Sequence, residues 1–149
     1  MISLADAKAF LADLEASELR GPKLRAQAMK MLSDLPGYDW CGVYRLEDST
    51  LVVDEYVGAE TEHTRIAVGV GVCGTAVAER QNQVVEDVRE LTNYLSCSLL
   101  TRSEIVVLIR RGGDILGQID VDGHQVGAFD TSDEVFLDRV AGLLAERWE

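Results

Sequence analysis

Leu24, Ala28, Leu32 and Leu35 recur at helical spacing, and Pro36-Gly37 closes the run. Upstream, Ser3 and Asp6 form a capping-box pattern ahead of an alanine- and leucine-rich stretch. These features predict a first helix to about Ala16, a break at Gly21-Pro22, and a second helix up to Pro36. The period then changes. Tyr38 to Leu46 and Thr50 to Val57 are rich in aromatic and β-branched residues, and Glu47-Asp48-Ser49 lies between them. A β-hairpin is the expected result. Arg65 to Val68 reads as a short third strand, Gly74 to Arg80 as a helix, and Gln83 to Glu86 as a short extended piece. A long loop is expected from Asp87 to Arg102, and loops of that length in compact domains tend to carry function.

Two more strands, Ser103 to Arg111 and Ile115 to Asp122, flank Gly112-Gly113-Asp114. Thr131 and Glu134 suggest a second capping box, and Phe136, Val140, Leu143 and Leu144 line one face of a last helix ending at Trp148. The order of elements favours an α+β fold, a central antiparallel sheet with helices packed on one face. One domain over residues 1–149 is expected, with helices in 1–37 and the sheet, loops and last helix in 38–149.

Strand alternation then sorts the side chains. In the last strand, Ile115, Gly117, Ile119 and Val121 share one face, and Leu116, Gln118, Asp120 and Asp122 share the other. In the preceding strand Ile105, Val107 and Ile109 oppose Glu104, Val106 and Leu108. A three-residue loop at Gly112 to Asp114 puts Glu104 opposite Asp122 and matches apolar face to apolar face. Glu104, Asp120 and Asp122 then gather in one area. Two readings follow. The acids form a solvated sheet face, or they form a site for a positive group. Close carboxylates raise one another's pKa unless a cation sits among them, and an ammonium or a hard metal ion would serve.

Composition narrows the partners. The chain has 149 residues, 47% hydrophobic and 27% charged, with net charge −12. Nucleic acid and anionic membrane surfaces are poor partners for such a chain. The longest aliphatic run, Ile105 to Ile109, is too short to span a bilayer, and the acidic N-terminal stretch lacks a secretory pattern, so a cytoplasmic location is expected. The three cysteines are Cys41, Cys73 and Cys97. With no CxxC motif and no zinc-finger spacing, neither a disulfide framework nor a structural metal site is expected. Cys41 sits within a strand and reads as core. Cys73, in GVGVCGTAVAERQ, is expected at or just before a helix N-terminus, where backbone N–H groups and the helix dipole favour a thiolate. Cys97 lies among Ser96, Ser98 and Thr101, near Arg102. An inert buried thiol is the alternative for both.

The segments DWCGVYRLE, RIAVGVGVCGTAVA, CSLLTRSEIVVLI, LGQIDVDG and FDTSDEVFL resemble, in order and spacing, the free methionine-R-sulfoxide reductases, which are stand-alone GAF domains. The resemblance runs from about Asp39 to Trp148. It implies a GAF sheet with a loop-built pocket opposite the helices. It also implies that Cys97 is the nucleophile and becomes a sulfenic acid, that a second thiol resolves it, and that a thioredoxin-type reductant recycles the disulfide. Glu104, Asp120 and Asp122 match carboxylates that hold the substrate, and Trp40 and Tyr44 match aromatic residues of the pocket. No bound cofactor is implied, and a homodimer is. The family's usual resolving cysteine falls where this chain has His63, and its usual aspartate after the nucleophile falls at Ser98. The resemblance therefore leaves Cys73 or an external thiol as the resolving partner. A non-catalytic GAF domain that senses a small metabolite is the alternative.

Overall fold

A computed structural model describes residues 1–92, 94 and 99–149. Cys97 and its neighbour Ser98 therefore lie outside the described residues. Two helices come first, α1 (Leu4–Ala16) and α2 (Gly21–Ser33). Ser3 caps α1 through its side chain, which accepts from the Asp6 N–H. Pro22 sits in the opening turn of α2, where its missing N–H costs nothing. Strands β1 (Trp40–Glu47), β2 (Thr50–Val57) and β3 (Arg65–Ala67) follow, then α3 (Gly71–Glu79) and β4 (Gln83–Val85). The chain closes with β5 (Ser103–Arg111), β6 (Asp114–Gly123) and α4 (Thr131–Glu146).

The six strands form one sheet in the order β3-β2-β1-β6-β5-β4, and every neighbouring pair is antiparallel. This is the expected α+β architecture. On one face, Phe10 and Leu14 of α1, Leu24 and Leu32 of α2, and Phe136, Val140 and Leu144 of α4 pack against Val43, Ile105, Val107, Ile119 and Val121. The charged Arg25 on this side is buried but paired. Its guanidinium donates to Asp54 at 2.5 Å and lies 4.1 Å from the Trp148 ring. On the other face Trp40, Tyr44, Val106 and Leu108 pack against Val72, Cys73, Ala76 and Val77 of α3. No helix among the described residues is long and apolar enough to cross a membrane.

Three local expectations change. The capping box of α4 lies one residue earlier than Thr131 and Glu134. The Asp130 side chain accepts from the N–H groups of Ser132 and Asp133, and the Asp133 side chain accepts from Asp130 N–H. Helix α3 starts at Gly71 rather than Gly74, because glycine accommodates the left-handed φ of 64° at its entry. The β5–β6 connection is a two-residue turn at Gly112-Gly113, and the extra residue is a bulge. Arg110 pairs with Ile115 while Ile109 pairs with Gly117, so Leu116 is left over. The bulge reverses the two residues before it. Leu116 packs with the helix-side core and Ile115 with the opposite one. Beyond the bulge the register is the expected one, and Glu104 stands opposite Asp122.

Candidate active site

The pairings lay out the site as a row across the sheet. Trp40 on β1 pairs with Asp122 on β6, Asp122 with Glu104 on β5, and Glu104 with Val85 on β4. One step along, Gly42 pairs with Asp120 and Asp120 with Val106. One further step brings Tyr44, Gln118 and Leu108 together. Side-chain alternation turns all these residues away from α1, α2 and α4.

The reading of the acids as a solvated sheet face is overturned. Glu104, Asp120 and Asp122 are 2%, 0% and 1% exposed. Helix α3 packs over Glu104 and Asp120, and Cys73 stands in its first turn, at the helix N-terminus as expected. The Cys73 thiol donates to a Glu104 carboxylate oxygen at 3.9 Å. Gly74 lets α3 pack tightly against the end of β3 and the turn that follows it. A Cβ there would stand 2.4 Å from the Ala67 carbonyl oxygen. Gln118, not singled out from the sequence, ties the helix to the sheet by donating to the Cys73 carbonyl at 3.0 Å. Its place on the same strand face as Asp120 and Asp122 was the available signal. Thr101, also buried, donates to Asp122 at 3.4 Å. Nothing in the local sequence marked that contact, since Thr101 reads as one more polar loop residue.

Burial is the largest influence on both aspartates. It raises the Asp120 pKa, and the facing Glu104 and Cys73 groups pull it partly back. Burial, then the Asp120 charge, push Asp122 well above the usual carboxylate range, opposed by Glu104 and Thr101. Among the described residues, neither Asp120 oxygen and not the Asp122 Oδ1 meets a fixed hydrogen-bond donor. Glu104 and the Cys73 thiol can bond Asp120 only by contributing a proton of their own. A cavity of about 10 Å³, the size of one water, borders Cys73, Glu104, Asp120, Ile66 and Val72.

The aromatic pair is held from several sides. Trp40 is stacked on Tyr56 with ring centroids 5.4 Å apart, and its indole N–H donates to the Ala59 carbonyl at 2.9 Å. A Cβ on Gly42 would fall 2.4 Å from its ring, and one on Gly58 2.6 Å. The ring therefore lies flat over a strand position that has no side chain, directly opposite Asp120. The Tyr44 hydroxyl donates to the His63 carbonyl at 2.9 Å. Position 63 is thereby tied to the acidic face of the sheet. Cys41 lies on the opposite face, fully buried among the helix-side residues, and burial raises its pKa. It is core, as expected. Of the expected site residues, the structure brings Cys73, Trp40, Tyr44, Glu104, Asp120 and Asp122 to one face, and Cys97 is outside the described residues.

The GAF domain family model matches residues 23–148. A structure of a type II free methionine-R-sulfoxide reductase from Thermoplasma acidophilum is 32% identical, has a TM-score of 0.79, and aligns over 96% of this chain and 94% of that one. This chain belongs to the GAF domain family, among the free methionine-R-sulfoxide reductases. A structure of a free methionine-R-sulfoxide reductase from Neisseria meningitidis in complex with its substrate is 28% identical, with a TM-score of 0.87 over 99% of this chain and 92% of that one. The free methionine-R-sulfoxide reductase of Escherichia coli strain K12 is 39% identical over 110 residues. That alignment takes in 74% of this chain and 66% of the relative, so the chain spans about two thirds of its length.

Proposed function

We propose that this protein reduces free methionine-R-sulfoxide to methionine. The observation that carries the reading is the buried acidic row Glu104, Asp120 and Asp122, beside the Trp40 ring and the Cys73 thiol. A buried carboxylate without a donor is costly, and a substrate ammonium relieves that cost. A methionine residue inside a protein has no ammonium to offer, so the row favours the free amino acid. The aromatic wall suits the sulfur end, since sulfur packs favourably against an aromatic ring.

In this reading Cys97 is the nucleophile. Its thiolate attacks the sulfoxide sulfur and takes over the oxygen. Methionine leaves as the thioether, and Cys97 becomes a sulfenic acid. A second thiol then condenses with the sulfenic acid, forming a disulfide and releasing water. With His63 at the family's usual resolving position, that thiol is Cys73, beside the acidic row, or an external one. A thioredoxin-type dithiol returns both cysteines to thiols and is itself oxidised to a disulfide. The protein needs no bound cofactor for any of these steps.

The test is turnover of free methionine-R-sulfoxide by purified protein with dithiothreitol. Methionine is the expected product, and Cys97→Ser should abolish it. Methionine formation no faster than in a no-enzyme control would overturn the reading, leaving a metabolite-sensing GAF domain. Mass spectrometry after one equivalent of oxidant separately tests the resolving step. A Cys73–Cys97 linked peptide is expected, and its absence would assign resolution to an external thiol.

A further inference from the structure

We propose that Cys73, Glu104 and Asp120 form a site for a thiophilic divalent cation, with Zn²⁺ the ion that suits the donors. One ligand atom from each residue lies within 4.8 Å of the others, and all three residues are buried. The thiol and the Glu104 oxygen are already 3.9 Å apart. Zinc holds sulfur at about 2.3 Å and carboxylate oxygen at about 2.0–2.2 Å, which puts tetrahedral ligands roughly 3.3–3.7 Å from one another. The trio closes on an ion with side-chain shifts of about an ångström.

Asp120 is what points to a ligand. It is fully buried and borders the cavity, and neither of its oxygens meets a fixed donor among the described residues. Buried polar groups are otherwise almost always satisfied. A single water can donate to two oxygens, but it carries no charge and leaves three acidic groups crowded together. A cation serves the oxygens and offsets most of their negative charge, and the cavity has room for a single bare ion among the three ligands.

The donor set chooses the ion. Calcium needs six to eight oxygens, and magnesium keeps an octahedral shell with several waters. A cavity of about 10 Å³ accommodates neither shell. One thiolate with two carboxylates fits a four-coordinate zinc. Binding displaces the thiol proton to solvent as the sulfur–zinc bond forms, and no electron changes hands. The site overlaps the thiol assigned to resolution. On the reductase reading, which this one consequence requires, zinc in the pocket withholds Cys73 from Cys97.

The test reads metal binding and not turnover, so it can fail while the reductase reading stands, and the reverse. Reduced, chelator-treated protein is titrated with Co²⁺ as a coloured stand-in and then with Zn²⁺. A thiolate-to-cobalt absorption band saturating at one equivalent and quenched by zinc is expected. Cys73→Ser should remove the band. Asp120→Asn keeps the shape of the side chain and should weaken zinc binding by more than the ~10–100-fold that follows loss of a group merely supporting a metal ligand. Zinc should also raise the melting temperature of the unaltered protein. A band that survives Cys73→Ser, or an unchanged zinc affinity in Asp120→Asn, would overturn the proposal. So would an unaltered protein whose melting temperature ignores zinc.

Discussion

Two aspartates in this molecule are completely buried, on opposite sides of one sheet, and they are treated in opposite ways. Asp133 lies on the helix side in the first turn of α4. It accepts from the Ile2 N–H at 2.9 Å, the Tyr38 hydroxyl at 2.7 Å and the Asp130 N–H at 2.9 Å. Asp120 lies on the α3 side and meets no fixed donor among the described residues. The same division holds for other charged groups. Arg25 on the helix side is paired with Asp54 and packed on Trp148, whereas among the described residues Asp122 keeps one oxygen without a donor. A carboxylate with several donors is part of the scaffold. One buried without them costs stability, and a structure retains it for what it binds.

Three substitutions sharpen or break this contrast, in falling order of effect on stability. Asp133→Ala orphans two backbone N–H groups and the Tyr38 hydroxyl and removes the capping box. It should cost about 3–5 kcal/mol. For a chain of this length that is a fall of about 10 °C or more in melting temperature, measurable by calorimetry. A shift of only a degree or two would mean that the donors are re-satisfied by water and that Asp133 is not scaffold. Gly42→Ala places a methyl 2.4 Å from the Trp40 ring, which Gly58 and Ala59 hold from other sides. Overpacking of about 1–3 kcal/mol is expected, with altered near-UV circular dichroism and a raised KM for free methionine-R-sulfoxide. An unchanged KM would remove Trp40 from the substrate wall. Asp120→Asn should leave stability unchanged or improve it, since it removes a buried charge that lacks donors.

The contrast was only partly legible in the sequence. Alternation along β5 and β6 sorted the residues onto the right faces from Gly117 onward, and only Ile115 and Leu116 were assigned to the wrong ones. Matching apolar faces fixed Glu104 opposite Asp122, although a two-residue turn and a bulge at Leu116 replace the expected three-residue loop. Local register is robust because a one-residue slip would send every core side chain to the wrong face. The burial of the acids was not legible, because alternation is blind to what lies above a strand. Gln118-Ile119-Asp120-Val121-Asp122 reads equally well as a solvated face or as a covered one. Over Glu104 and Asp120 the cover is α3, whose entry uses the positive φ of Gly71 and whose packing against the end of β3 uses Gly74, roles that appear only when the helix is docked. Asp133 was missed for a related reason. Its donors come from the chain start and from Tyr38, remote positions that no local pattern connects.

The central claim is that the α3 face of the sheet is built to bind and the helix face to fold. Asp120→Asn, measured for melting temperature and for kcat/KM on free methionine-R-sulfoxide in the same preparation, tests it most directly. The account predicts a melting temperature at or above that of the unaltered protein, together with a kcat/KM reduced by about 10²-fold, the order expected when a charged anchor for a substrate ammonium is lost. A melting temperature several degrees lower, with kcat/KM preserved, would contradict it and make Asp120 a structural residue like Asp133.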